Sequence, residues 1–154
     1  PLSRAKETAA ILNADMRLAM KENPALGERS FGDWAGQPWP FVSDQLQKRR
    51  DPPNGEKNVD FIRRVVNGLA DILTCDDNPL IVSHGKVFDA LAEHYGCILE
   101  DVENCHLYEF RPQAGARTFP WDIWHHEASS QGSLETTHIG VSVMPAEGDL
   151  TTAE

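Results

Sequence analysis

A chain of 154 residues has room for one domain with a closed core and excludes two full catalytic domains. With 40% hydrophobic and 25% charged residues it reads as globular, and no apolar run approaches the roughly 18 to 20 residues of a bilayer span, so no membrane partner is expected. The net charge of −10 argues against nucleic acid as a partner, although the acidity is concentrated in residues 100–154, where Arg111 and Arg117 stand against ten acidic residues.

Cys75, Cys97 and Cys105 are odd in number and lack CxxC spacing, which reads as idle thiols of a reducing cytoplasm rather than a disulfide framework or a cysteine zinc site. The opening Pro1-Leu2-Ser3-Arg4 has neither Met nor a signal-peptide pattern, so the chain is expected to start as a fragment starts, and a cytoplasmic location rests on composition.

In chain order, residues 3–14 read as a helix, with Ser3 as N-cap and Ala5, Ala9 and Leu12 at helical spacing. Asn23 and Pro24 close that region. Residues 24–57, rich in proline and glycine and holding two tryptophans, read as a long irregular excursion with one short helix near 40–50. Val59, Ile62, Val66, Leu69 and Leu73 predict a helix that stops before Cys75 to Asn78. The run PLIVS at 79–83 predicts a strand buried on both faces, and Val87, Leu91 and Tyr95 a helix stopped by Gly96. Residues 105–110 predict a further strand, with 118–126 and 138–144 as weaker ones. Helix, strand, helix, strand reads as α/β with a mainly parallel sheet covered on both faces.

Three features carry candidate chemistry. In LIVSHGKVFDAL a strand end delivers His84 beside the free amides of a helix that starts just after Gly85, at the sheet edge where α/β folds bind ligands and anions. Arg4, on the first helix, offers a bidentate fork suited to phosphate, although in isolation it reads more readily as an exposed cation. In LGERSFGDWAG, Glu28 precedes Phe31 and Trp34; apolar packing there would suit a proton donor, whereas contact with Arg4 or Arg29 would make it a loop ion pair. His106, His125, His126 and His138 do not suggest a metal site, because adjacent histidines on a strand face apart, so neither metal nor cofactor is expected. Phe119, Trp121 and Trp124 read as a packing cluster.

In this order PLSRAKETA, LGERSFGDWAG, the Gly55-Glu56 pair and LIVSHGKVFDAL resemble the histidine phosphatase superfamily, the phosphoglycerate mutase-like fold, over about residues 1–111. The resemblance implies a three-layer α/β fold for a single domain over 1–154, with a variable C-terminal segment at 112–154. It also implies phosphate binding by Arg4, His84 and Gly85, with Glu28 and His84 catalytic and Glu28 protonating the leaving oxygen. The partner implied is a small phosphorylated substrate or inorganic phosphate.

The family's nucleophile is a histidine in an Arg-His-Gly segment ending the first strand, and no Arg-His pair occurs in these 154 residues. The chain is therefore expected to be N-terminally incomplete, inactive as it stands and short of the first strand of the sheet. The open edge at PLIVS then predicts a homo-oligomer. Two accounts follow: a piece of a phosphomonoester hydrolase acting through a phosphohistidine, or a catalytically silent relative that binds phosphorylated ligands or a protein. Within the family that the chain resembles, the short stretch from Glu28 to Gly55 implies a phosphatase rather than a cofactor-dependent phosphoglycerate mutase, which carries a longer insertion there.

Overall fold

The computed structural model describes residues 2–74, 78–99, 102, 103, 105–115 and 119–144. The chain divides into two compact units, Pro1–Ala90 and Leu91–Glu154.

The first unit is helical. Helix α1 (Ser3–Met16) begins without a side-chain cap: Leu2, not Ser3, occupies the N-cap position, and the carbonyl of Leu2 accepts from the amide of Ala5. Ser3 already lies inside the first turn, where its side chain has no N-cap role to play. The helix closes at Arg17, which adopts a left-handed conformation (φ 54°) and donates its amide to the Asn13 carbonyl. The excursion that follows is built from two 3₁₀ turns, Pro24–Leu26 and Gly32–Trp34, and the short helix α2 (Trp39–Gln47). Asn23 caps the first turn by accepting from the amide of Ala25.

Helix α3 (Asn58–Leu73) buries Phe61, Val65 and Gly68, with Ile62, Leu69 and Ile72 at the margin, against Leu26 and against Val87 and Ala90 of α4 (Gly85–His94). The buried stripe is therefore not the expected one: Val59 and Leu73 are exposed. Two overlapping apolar stripes fit the same helical period, and contact with the Pro24–Leu26 turn selects the one bearing Gly68. That glycine lies where a Cβ would collide with the Ala25 methyl, so α3 approaches the turn more closely than any larger residue allows.

Residues 79–83 do not form the expected buried strand. Leu80 and Ile81 are exposed, and the segment joins no ladder among the described residues. Strand structure requires a hydrogen-bonded neighbour, which local hydrophobicity cannot supply. Helix α3 ends at Leu73 with Thr74 as its C-cap, before Cys75 as expected, and residues 75–77 lie outside the described residues.

The second unit carries the sheet. Strand β1 (Cys97–Leu99) pairs with β5 (Val141–Val143), and β2 (Leu107–Pro112), β3 (Trp121–Ala128) and β4 (Leu134–Ile139) form a meander in the order β2-β3-β4. Every ladder among the described residues is antiparallel, which corrects the expected parallel sheet. The cause is connectivity: β3 and β4 are joined by the tight Ser129–Ser133 turn, and a parallel pair would need a long crossover. Residue 118, where one strand was expected to begin, lies outside the described residues, and the strand starts at Trp121.

His125 and His126 project to opposite faces of β3. His125 stacks on His106 and Tyr108, whereas His126 bonds Glu109 at 2.9 Å and Thr136 at 3.2 Å. The aromatic cluster also divides: Phe119 and Trp121 meet edge to face at 5.4 Å, while Trp124 lies under the Arg111 guanidinium at 5.0 Å and beside His138. Among the described residues no group of three His, Cys, Asp or Glu side chains is arranged to hold a metal, and no helix is long and apolar enough to cross a membrane.

Candidate active site

The first unit brings Arg4, Glu28 and His84 together from three separate parts of the chain. Arg4 extends from the first turn of α1, its side chain 64% exposed, and its Nη2 lies 3.3 Å from Glu28 Oε2. Glu28, 17% exposed, follows the Pro24–Leu26 turn; the same Oε2 stands 3.9 Å from His84 Nδ1, and its Oε1 accepts from the amide of Arg29 at 3.1 Å. His84 immediately precedes α4, and its carbonyl accepts from the amide of Val87. Gly85 is the first residue of α4 and is exposed.

His84 is the buried member of the trio. Its side chain is 2% exposed, and Nε2 has no hydrogen-bond partner among the described residues. Burial pulls its pKa below the usual histidine value, with Arg4 acting in the same direction and Glu28 opposing. The ring is therefore held neutral, with a polar atom sealed from water and unpaired. Such an atom costs free energy unless a ligand or neighbour meets it.

Two arginines that the sequence did not single out for this role build the frame around Glu28. Arg29, its side chain 4% exposed, reaches away from the Glu28 carboxylate: it donates to Asp51 Oδ1 at 2.7 Å, to the Glu56 carbonyl at 3.0 Å and to Asn58 Oδ1 at 3.2 Å. Arg4, rather than Arg29, is the arginine whose guanidinium pairs with the Glu28 carboxylate. Arg64 on α3 grips Glu56 with two charge-assisted bonds, at 2.8 and 2.7 Å. That grip holds the Glu56 carboxyl below the usual carboxylate range, so Glu56 stays ionised and is a poor proton donor. Arg64, Glu28, Leu2, Pro24 and Gly27 line an open depression of about 270 Å³. Trp34 packs edge-on against Phe41 at a ring separation of 6.4 Å.

Nothing local marks Arg64 in the sequence, because the carbonyls that it meets lie 36 to 40 positions away. Arg29 was visible as a neighbour of Glu28, but its burial depends on Asp51 and Asn58, which are distant in sequence.

The chain is 35% identical over 95 residues to an uncharacterized phosphatase, PhoE, of Bacillus subtilis, an alignment covering 59% of this chain and 48% of that protein. It is 27% identical over 157 aligned positions to 6-phosphofructo-2-kinase 1 of Saccharomyces cerevisiae, covering 86% of this chain and 19% of the yeast protein. The chain thus spans about half the length of the first relative and a fifth of the second. The mixed helix and sheet content is consistent with a phosphoglycerate mutase-like α/β domain. The family model for branch 1 of the histidine phosphatase superfamily matches residues 1–119, and the chain belongs to that superfamily.

Proposed function

We propose that the full-length protein is a metal-independent phosphomonoester hydrolase acting on small phosphorylated molecules, with Arg4, Glu28, His84 and Gly85 forming part of its phosphate site. The observation that carries this reading is the sealed, unpaired Nε2 of a neutral His84 beside Arg4 and Glu28, at the start of a ten-residue helix. In its Nε2–H form the ring donates to a phosphoryl oxygen, and the α4 amides and the Arg4 fork meet the other oxygens. Phosphoryl transfer asks for this: charge spread over equatorial oxygens is stabilised by donors fixed in place beforehand.

Glu28 supplies the remaining chemistry. The ester oxygen leaves carrying negative charge; once the bound phosphate draws Arg4 away from Glu28, the carboxylate takes up a proton and hands it to the leaving oxygen as the P–O bond breaks. The phosphoryl group passes to a histidine, and water then releases it as inorganic phosphate, so that one difficult displacement becomes two easier ones. The 154 residues contain no Arg-His pair. The reading therefore assigns the nucleophile to a histidine of the full-length protein outside this sequence and predicts little turnover from this chain alone.

The test is hydrolysis of para-nitrophenyl phosphate by the full-length protein with EDTA present, followed by trapping of the phosphoryl-enzyme. Activity undiminished by chelator, with an alkali-stable, acid-labile label on a histidine outside these residues, supports the reading. Activity lost to EDTA and restored by a divalent ion, or a label on His84, overturns it.

A further inference from the structure

The turn that carries Glu28 is held by its carbonyl oxygens, and the donors come from two side chains. Arg64 Nη1 donates to the carbonyls of Pro24 at 3.1 Å, Ala25 at 2.9 Å and Gly27 at 3.2 Å, and its Nη2 reaches the Glu28 carbonyl at 3.4 Å. Ser83 Oγ donates to the one left between them, Leu26, at 2.6 Å. Five consecutive carbonyls, from Pro24 to Glu28, thus face donors from α3 and from the segment ending in His84. Ser83 is the residue immediately before His84, so its bond ties the backbone of one candidate site residue to the turn bearing the other. Glu56 in turn fixes the orientation of the Arg64 guanidinium through its two-point grip.

We propose that Arg64 and Ser83 are positioning residues that clamp the Pro24–Glu28 turn and thereby set the placement of Glu28 relative to His84. The proposal rests on the phosphatase reading for its catalytic consequence, though not for the clamp itself. A lysine at position 64 keeps the charge but has a single nitrogen in place of the planar fork, so it cannot hold Glu56 at two points and the carbonyls together. Loss of the Ser83 hydroxyl releases a single carbonyl. Arg64→Lys is therefore the severe variant and Ser83→Ala the mild one. Misplacement by about 1 Å is enough to cost on the order of 100-fold in rate when the group displaced is a catalytic one.

Two readouts on the full-length protein separate the clamp from the reading on which its catalytic effect depends. The first is NMR titration of the His84 ring without substrate. The Glu28 charge raises the pKa of His84, so Glu28→Gln lowers the titration midpoint in the wild-type background. Because the interaction falls with distance, that drop shrinks, by about half if the separation doubles, in the Arg64→Lys and Ser83→Ala backgrounds. The second is hydrolysis of glycerol 3-phosphate against para-nitrophenyl phosphate. A displaced proton donor lowers kcat for the alkyl ester about 10-fold or more beyond any loss on the aryl ester.

An undiminished Glu28→Gln drop in both backgrounds overturns the clamp, as does an alkyl-to-aryl ratio unchanged from wild type in an active enzyme. If the wild type hydrolyses neither ester, the phosphatase reading fails and the titration alone decides the clamp. If Arg64→Lys does not fold, Ser83→Ala carries both readouts.

Discussion

Replacing Arg29 with methionine tests whether the frame around Glu28 is held by polar bonds or by packing. The change removes a 2.7 Å ion pair to Asp51 and bonds of 3.0 and 3.2 Å to the Glu56 carbonyl and Asn58 Oδ1. Each bond to a neutral acceptor is worth about 1 kcal/mol net and one to a charged acceptor about 1.5 to 3. The low end applies to Asp51, which is 42% exposed and also accepts from the amide of Asn58 at 2.8 Å. The gross loss is then about 3.5 kcal/mol. Methionine returns about 1 kcal/mol through burial of its apolar stem, which leaves a net destabilisation of ~2 to 3 kcal/mol. Urea unfolding of the full-length protein and the variant, followed by tryptophan fluorescence, measures the difference. A change below about 1 kcal/mol would refute the reasoning and place Arg29 among buried ion pairs that apolar side chains replace at little cost.

Stability should also report the burial of His84. Because its pKa is lowered on folding, the unfolded chain takes up the proton first as pH falls: the contribution is complete above about 6.5 and declines as pH drops from there towards the folded-state value. Urea midpoints at pH 7.5 and 5.5 should differ more for wild type than for His84→Gln, and equal differences would contradict the burial argument. Gly32 has φ +46°, and a Cβ there would run into the backbone of Pro53, Asn54 and Gly55. Gly32→Ala should cost about 2 kcal/mol or more, lowering Tm by roughly 5 °C, and an unchanged Tm in a thermal melt would refute it.

The helices were legible in the sequence as local periodicity, and the trio at the site through the resemblance of its segments to a known family. Ala5 and Leu12 recur at a helical period, Gly96 follows the last turn of α4 with φ +61°, and Arg4, Glu28 and His84 lie in recognisable segments. What the sequence misjudged depends on partners distant along the chain. PLIVS has the composition of a buried strand, yet no described segment pairs with it. The antiparallel meander follows from how β3 and β4 connect rather than from the apolar character of either strand. Arg64 next to Arg63 looks like another surface cation of α3, and its function in the turn emerges only when Gly68 lets the helix approach Ala25.

The central claim is that Glu28 hands a proton to the departing alcohol at a site shared with Arg4 and His84. Its most direct test is Glu28→Gln in the full-length protein, assayed on glycerol 3-phosphate and on para-nitrophenyl phosphate. Glutamine keeps the size and hydrogen-bonding reach of the side chain but cannot donate that proton. The account predicts a loss of about 100- to 10,000-fold on the alkyl ester and a much smaller one on the aryl ester, whose leaving group scarcely needs protonation. Equal losses on both esters would contradict it and leave Glu28 as a residue that only holds Arg4 and His84 in place.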